Sequence, residues 1–203
     1  MASGIIKLNR EFYLRPTLVV ARDLIGKFLV YHNGRQSLVV RLVEVEAYIG
    51  QDDPACHAMA GKTERNAMMF GPGGFSYIYF IYGMYYCLNV VTEAEGFPAA
   101  VLIRGAEPVD GVAAMKEGFS NPERNLLTNG PGKLCKALGL TRDQNGIDLT
   151  GEKLYLEDRG YKPEKIERSG RIGIKKATDK NWRLYESSSP YVSAQPKKNK
   201  LKE

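Results

Sequence analysis

Histidine and cysteine are scarce in these 203 residues: His32 and His57 are the only histidines, and Cys56, Cys87 and Cys135 the only cysteines. None falls at the CxxC, HxxxH or HExxH spacing that gathers ligands around zinc, so a metal site is not indicated. Three thiols cannot pair off into a disulfide framework, and the usage fits a reducing interior. Long apolar runs are missing as well. Arg10, Glu11, Arg15 and Arg22 break up the N-terminal segment, which therefore lacks a signal-peptide core. The most aromatic stretch is interrupted by Ser76, Gly83 and Asn89, so no membrane-spanning helix is expected. No internal repeat or interdomain linker stands out.

What is present is a globular composition, 43% hydrophobic and 26% charged, with too little bias for long disordered segments. A chain of this length buries roughly 70% of its unfolded surface, so a single domain over 1–203 is the simplest reading, with 195–203 a frayed basic tail. Twenty-nine Lys and Arg against 23 Asp and Glu give a net charge of +6, which modestly favours an anionic partner such as nucleic acid.

Leu18, Ala21, Leu24 and Ile25 recur at helical intervals, and Gly26 then leads into an extended run over 27–31. An Asn33-Gly34 turn introduces a β-branched strand ending near Gly50. In that strand Val43, Val45 and Ala47 alternate with Glu44, Glu46 and Tyr48. One face should pack inward and the other should present two carboxylates and a phenol. Residues 51–74 read as a loop with a short helix. "FSYIYFIYGMYYCLNVV", residues 75–91, holds five of the twelve tyrosines and reads as two strands meeting near Tyr82, Gly83 and Met84. "PAAVLIRGAEP" is a further strand, from which Arg104 and Glu107 could project. Residues 111–140 read as helical, interrupted by "TNGPGK"; a short strand follows over 153–157, then a glycine-punctuated basic strand-and-loop segment.

Each candidate has a plainer alternative. Glu44 and Glu46 could be solvent-facing acids of an edge strand, and taken alone that is the better reading. His57 alone is most simply structural, and His32 a solvated turn residue. Most rings of 75–91 should be sheet core, although a ring at a rigid hairpin tip could stack on a base or wedge between base pairs. "GPGK" is no phosphate loop, yet Lys133 and the turn amides could touch a phosphate.

In order along the chain, "VEVEAYIG", "DPACH", "ERNAMMFGPGGFSYIYFIYGMYYCLNVV", "AVLIRGAEP" and "GPGKLCKALGL" resemble the alkyladenine (3-methyladenine) DNA glycosylase family over residues 18–193. The resemblance implies an α+β fold, a single compact domain with a curved antiparallel β-sheet, a protruding β-hairpin and peripheral helices, and no metal or redox cofactor. It implies excision of damaged or alkylated purines from double-stranded DNA by a monofunctional enzyme, working as a monomer in the cytoplasm on bacterial chromosomal DNA. Residue by residue, it implies that Glu46 activates water and Arg104 helps hold it, while Glu44 stays structural or at the surface. Tyr48 and His57 would stack on one side of the flipped base and Tyr79 on the other, with Asn89 disfavouring guanine. Tyr82, beside Met84, would fill the gap in the duplex. A backbone carbonyl among Ile172, Gly173 and Ile174 would face the water. The "TEAEGFPAA" segment is slightly longer and "KKATDKNW" more basic than in the mammalian pattern. A binding module without catalysis and a protein-interaction domain remain open at this point.

Overall fold

Apolar, β-branched strands dictate the architecture. The computed structural model describes residues 4–120, 123 and 126–193, so the tail expected to fray lies outside the described residues. Two short elements, β1 (Ile6–Lys7) and α1 (Arg10–Tyr13), precede α2 (Thr17–Leu24), β2 (Phe28–His32) and β3 (Ser37–Ile49). Two 3-10 turns, His57–Ala60 and Ala67–Phe70, fill the loop that follows, where a single short helix was expected. Then come β4 (Ser76–Ile81), β5 (Tyr85–Val91), β6 (Ala99–Asp110), α3 (Val112–Lys116) and α4 (Pro131–Leu138). The described chain ends with β7 (Leu154–Asp158), β8 (Ile166–Ser169) and β9 (Arg183–Glu186). The helical reading of 111–140 thus shrinks to two short helices, because Gly118 follows α3 closely and "TNGPG" precedes α4. Pro131 at its first position and the left-handed Gly139 at its end set the bounds of α4.

The sheet is antiparallel throughout, in the order β1-β7-β2-β3-β6-β5-β4, with β9 also pairing β3 and β8 pairing β9. β3 is therefore central. Along one edge it pairs β2 over its first residues and β9 over Glu44, Val45 and Glu46. Both of its faces are buried from 38 to 47, so the alternation separates hydrophobic core from a polar interior instead of core from water. This removes the edge-strand reading of its two glutamates. Val45 and Ala47 join Leu24, Val90 and Ile103 in the main core, beneath α2 and α4.

The register of β3 against β6 slips three times, once at Val39 and Val40 and twice beside Glu44. Val43 is the extra residue on one strand and Arg104 the extra residue on the other, opposite Glu44 and Val45. A bulge bends its strand and re-aims a side chain, and here it turns Arg104 toward the two glutamates. Gly105 completes the fit: a Cβ there would meet the Tyr191 carbonyl oxygen at 2.6 Å and Glu44 Oε2 at 3.1 Å. His32 departs from the turn expectation. It ends β2, half-buried, with Nδ1 paired to Ser37 Oγ at 2.8 Å.

Candidate active site

Period two places Glu44, Glu46 and Tyr48 on one face of β3; Arg104 of β6 and Arg183 of β9 flank that face within the sheet, and Ile172 and Ser193 cover it. Both glutamates are wholly buried. Glu46 Oε1 accepts the Ile172 backbone N–H at 2.6 Å. Its Oε2 accepts the Tyr48 hydroxyl at 2.9 Å and Arg104 Nη1 at 3.3 Å. Glu44 accepts Arg104 Nε at 3.3 Å, Arg183 Nε at 2.6 Å, and the Ser193 N–H and hydroxyl at 2.5 and 2.8 Å. Arg171 pairs with Asp53 through Nη1 and Nη2, at 2.6 and 2.7 Å. Three carboxylates thus face three guanidiniums in one buried set. A lone ion there would cost several kcal/mol to desolvate; the balanced set offsets that only if Glu46 carries its charge.

Burial pushes the Glu46 carboxyl above the usual carboxylate range, although Arg104, the Ile172 N–H and the Tyr48 hydroxyl each favour its ionised form. Burial and the adjoining Glu46 hold the Tyr48 phenol up, so it stays protonated and donates. The result is a carboxylate with three donors, more basic than one in water.

Beside it opens a cavity of about 720 Å³, lined by Tyr48, His57, Tyr79, Asn89 and Arg104 among others. That size suits a small organic ligand. His57 lies edge-on to Tyr79 with centroids 4.6 Å apart, and its Nδ1 is paired to the Tyr77 hydroxyl at 3.0 Å. The expected grouping of His57 with Tyr48 against Tyr79 is therefore corrected: Tyr77 holds His57 against β4, so the imidazole and Tyr79 make one surface with no slot between them. Burial, and secondarily Arg65, lowers the His57 pKa, leaving a neutral imidazole at pH 7. Asn89 donates to the Tyr77 and Cys87 carbonyls at 3.0 and 3.4 Å, which fixes its amide at the cavity wall.

The hairpin of β4 and β5 carries Tyr82 to the cavity mouth, 78% exposed. Met84 is also exposed but does not line the cavity. Lys133, at the start of α4, borders the mouth with Lys175 and Lys176. Ile172, Gly173 and Ile174 line the cavity too, and Ile172 donates its backbone N–H to Glu46. Among the described residues no group of three His, Cys, Asp or Glu side chains could hold a metal ion. No helix among them is long and apolar enough to cross a membrane.

Sequence reasoning missed Arg171, Asp53, Arg183 and Ser193 as parts of this site. Arg171 fell within a glycine-punctuated basic segment, Asp53 opened the "DPACH" motif without a role of its own, and nothing local marked Arg183 or Ser193. Glu44, expected at the surface or in a structural role, is an interior anion that anchors Arg104.

The profile of the methylpurine-DNA glycosylase (MPG) family matches residues 11–190. The chain is 47% identical over 200 residues to a protein of Alkaliphilus oremlandii, covering 93% of this chain and 99% of that one. It is 49% identical over 191 residues to one of Methanocella arvoryzae, covering 92% and 95%. With one of Rickettsia felis it shares 51% identity over 180 residues, covering 88% and 92%. All three relatives are provisionally named 3-methyladenine DNA glycosylases. With a family profile spanning most of its length and relatives this similar end to end, the chain belongs to the methylpurine-DNA glycosylase family.

Proposed function

We propose that this protein, acting as one domain and as a monomer on chromosomal DNA, flips damaged or alkylated purines from the duplex and hydrolyses their N-glycosidic bond. The observation that carries this reading is Glu46: a buried carboxylate held by Tyr48, Arg104 and Ile172, all three of which line an aromatic-walled cavity. A base inside the stack is out of reach of water, and extruding it costs roughly a few kcal/mol, least where it is damaged or mispaired. Tyr82 offsets part of that cost by occupying the vacated space, with Met84 beside it. The flipped purine is received by Tyr48, His57 and Tyr79, and Asn89 crowds the exocyclic amine of guanine. Lys133 meets the phosphate backbone at the mouth.

Glu46 accepts a proton from water as its oxygen attacks C1′. The bond from C1′ to the base breaks, and its electron pair leaves with the purine. Arg104 and the 172–174 segment hold that water, and the negative charge of Glu46 favours the cationic sugar of the transition state. A purine cationic by alkylation leaves as a neutral base. A neutral lesion such as hypoxanthine must gain a proton or a hydrogen bond as it leaves.

The test compares wild type with Glu46→Gln on duplexes carrying hypoxanthine or alkylated purines, measuring free base and DNA binding. Removing a general base lowers turnover roughly 10²–10⁴-fold. Base release by wild type, lost in the variant while binding persists, is the expected result. Binding by both proteins with no release from either duplex would instead assign a binding module.

A further inference from the structure

Arg171 does not line the cavity, and its side chain makes no hydrogen bond to Glu46, yet it contacts β3 at the Ala47 carbonyl and the Tyr48 ring and precedes the residue whose amide holds that carboxylate. Its side chain is wholly buried, as is that of Asp53. Besides the two bonds to Asp53, Nη1 donates to the Ala47 carbonyl, one residue beyond Glu46, at 2.9 Å. The guanidinium lies over the Tyr48 ring at 4.6 Å and near the Trp182 ring at 5.1 Å. Asp53 in turn accepts the Ile49 and Ala55 amides at 3.3 and 3.2 Å, and its carbonyl takes the Cys56 N–H at 2.8 Å. That ties down the loop that delivers His57. The residue after Arg171 donates the 2.6 Å amide bond to Glu46.

As a stabiliser this pair is an inefficient choice, because a buried ion pair is often no better than well-packed apolar side chains of the same volume. Its geometry is what an apolar pair could not supply. A planar guanidinium can bind a carboxylate with two parallel bonds, hold a backbone carbonyl and stack on rings at once, and lysine cannot.

We propose that Arg171, clamped by Asp53, is a positioning residue for base excision: it aligns the Ile172 amide on Glu46 and backs the Tyr48 ring, and so governs turnover without contacting the DNA. This rests on the glycosylase reading. The groups facing Glu46 are Glu44 and Tyr48 from β3, Cys87 from β5, Arg104 from β6, and Arg171 with the Ile172 amide from the segment after β8. Loss of the amide bond removes a donor that favours the ionised carboxylate, so the pH at which activity is half lost on the acid side should rise.

The experiment measures single-turnover release of hypoxanthine from duplex DNA between pH 5 and 9 for wild type, Arg171→Lys and Asp53→Asn. Affinity for a duplex with a reduced abasic site and thermal melting are followed in parallel. Misaligning the site by an ångström costs about 10²-fold in rate. Arg171→Lys should show a loss of that order with unchanged affinity and an acid limb moved to higher pH, and Asp53→Asn a smaller change in the same direction. If Arg171→Lys does not fold, Asp53→Asn decides alone. Rate losses that only track the folded fraction, with the acid limb unmoved, would overturn the positioning role. No release by wild type would instead remove the glycosylase reading beneath it.

Discussion

Tyr82→Asn should yield a protein that is more stable and a poorer glycosylase on duplex DNA. Tyr82 and Gly83 are the central residues of a turn closed by the Met84 N–H on the Ile81 carbonyl at 3.3 Å, and both have positive φ, +55° and +68°. Such a turn favours Asn-Gly. An L-residue with a Cβ pays about 1–2 kcal/mol in the left-handed region, less for asparagine. The Tyr82 side chain is 78% exposed, so little packing is given up by removing it. The substitution should therefore stabilise the fold by about 1 kcal/mol, or about 2–4 °C in Tm for a chain of this size. On the duplex the balance reverses. If the ring offsets about 2 kcal/mol of the extrusion cost, losing it slows release about 30-fold. A lesion in single-stranded DNA leaves no gap to fill, so its release should change little. Denaturant titration and hypoxanthine release from duplex and single-stranded substrates are the assays. A variant less stable than wild type, or one as fast on the duplex, would refute the argument that strain is held at the hairpin tip for the sake of the wedge.

Two further outcomes are expected. Glu44→Gln removes one anion from the balanced set and leaves excess positive charge beside Glu46, so the acid limb of the pH–rate profile should move down, opposite to Arg171→Lys. Arg104 then keeps only Glu46 and Arg183 loses its ion pair with Glu44, which should cost about 3–5 kcal/mol of stability by denaturant titration. Borohydride added during turnover should trap no covalent adduct between protein and abasic DNA. Lys133, Lys175 and Lys176 border the cavity, so an adduct would identify a lysine nucleophile and overturn the monofunctional mechanism.

Much of the sheet was legible because its signals are local. The Asn33-Gly34 turn, the alternation in β3 and the glycine at the hairpin tip each lie within a few residues of what they specify, and β2 to β5 form where those signals place them. The helical reading of 111–140, interrupted at "TNGPGK", holds only for α3 and α4, since local apolar spacing does not mark where each helix stops. Glu46 shows where local signals stop. Period two says that it shares a face with Glu44 and Tyr48, and says nothing of what covers that face. The cover comes from Ile172, 126 residues away, and from Ser193, 149 residues beyond Glu44. Arg104 is aimed by a bulge, which depends on the register of two strands and is written in neither alone. From the residues themselves a surface acid was the better reading of Glu46, and the family resemblance alone argued for the catalyst. The distant cover removes the surface reading in physical terms: water would have levelled Glu46 to an ordinary carboxylate, whereas burial raises its basicity while Arg104 and the Ile172 amide favour its charged form.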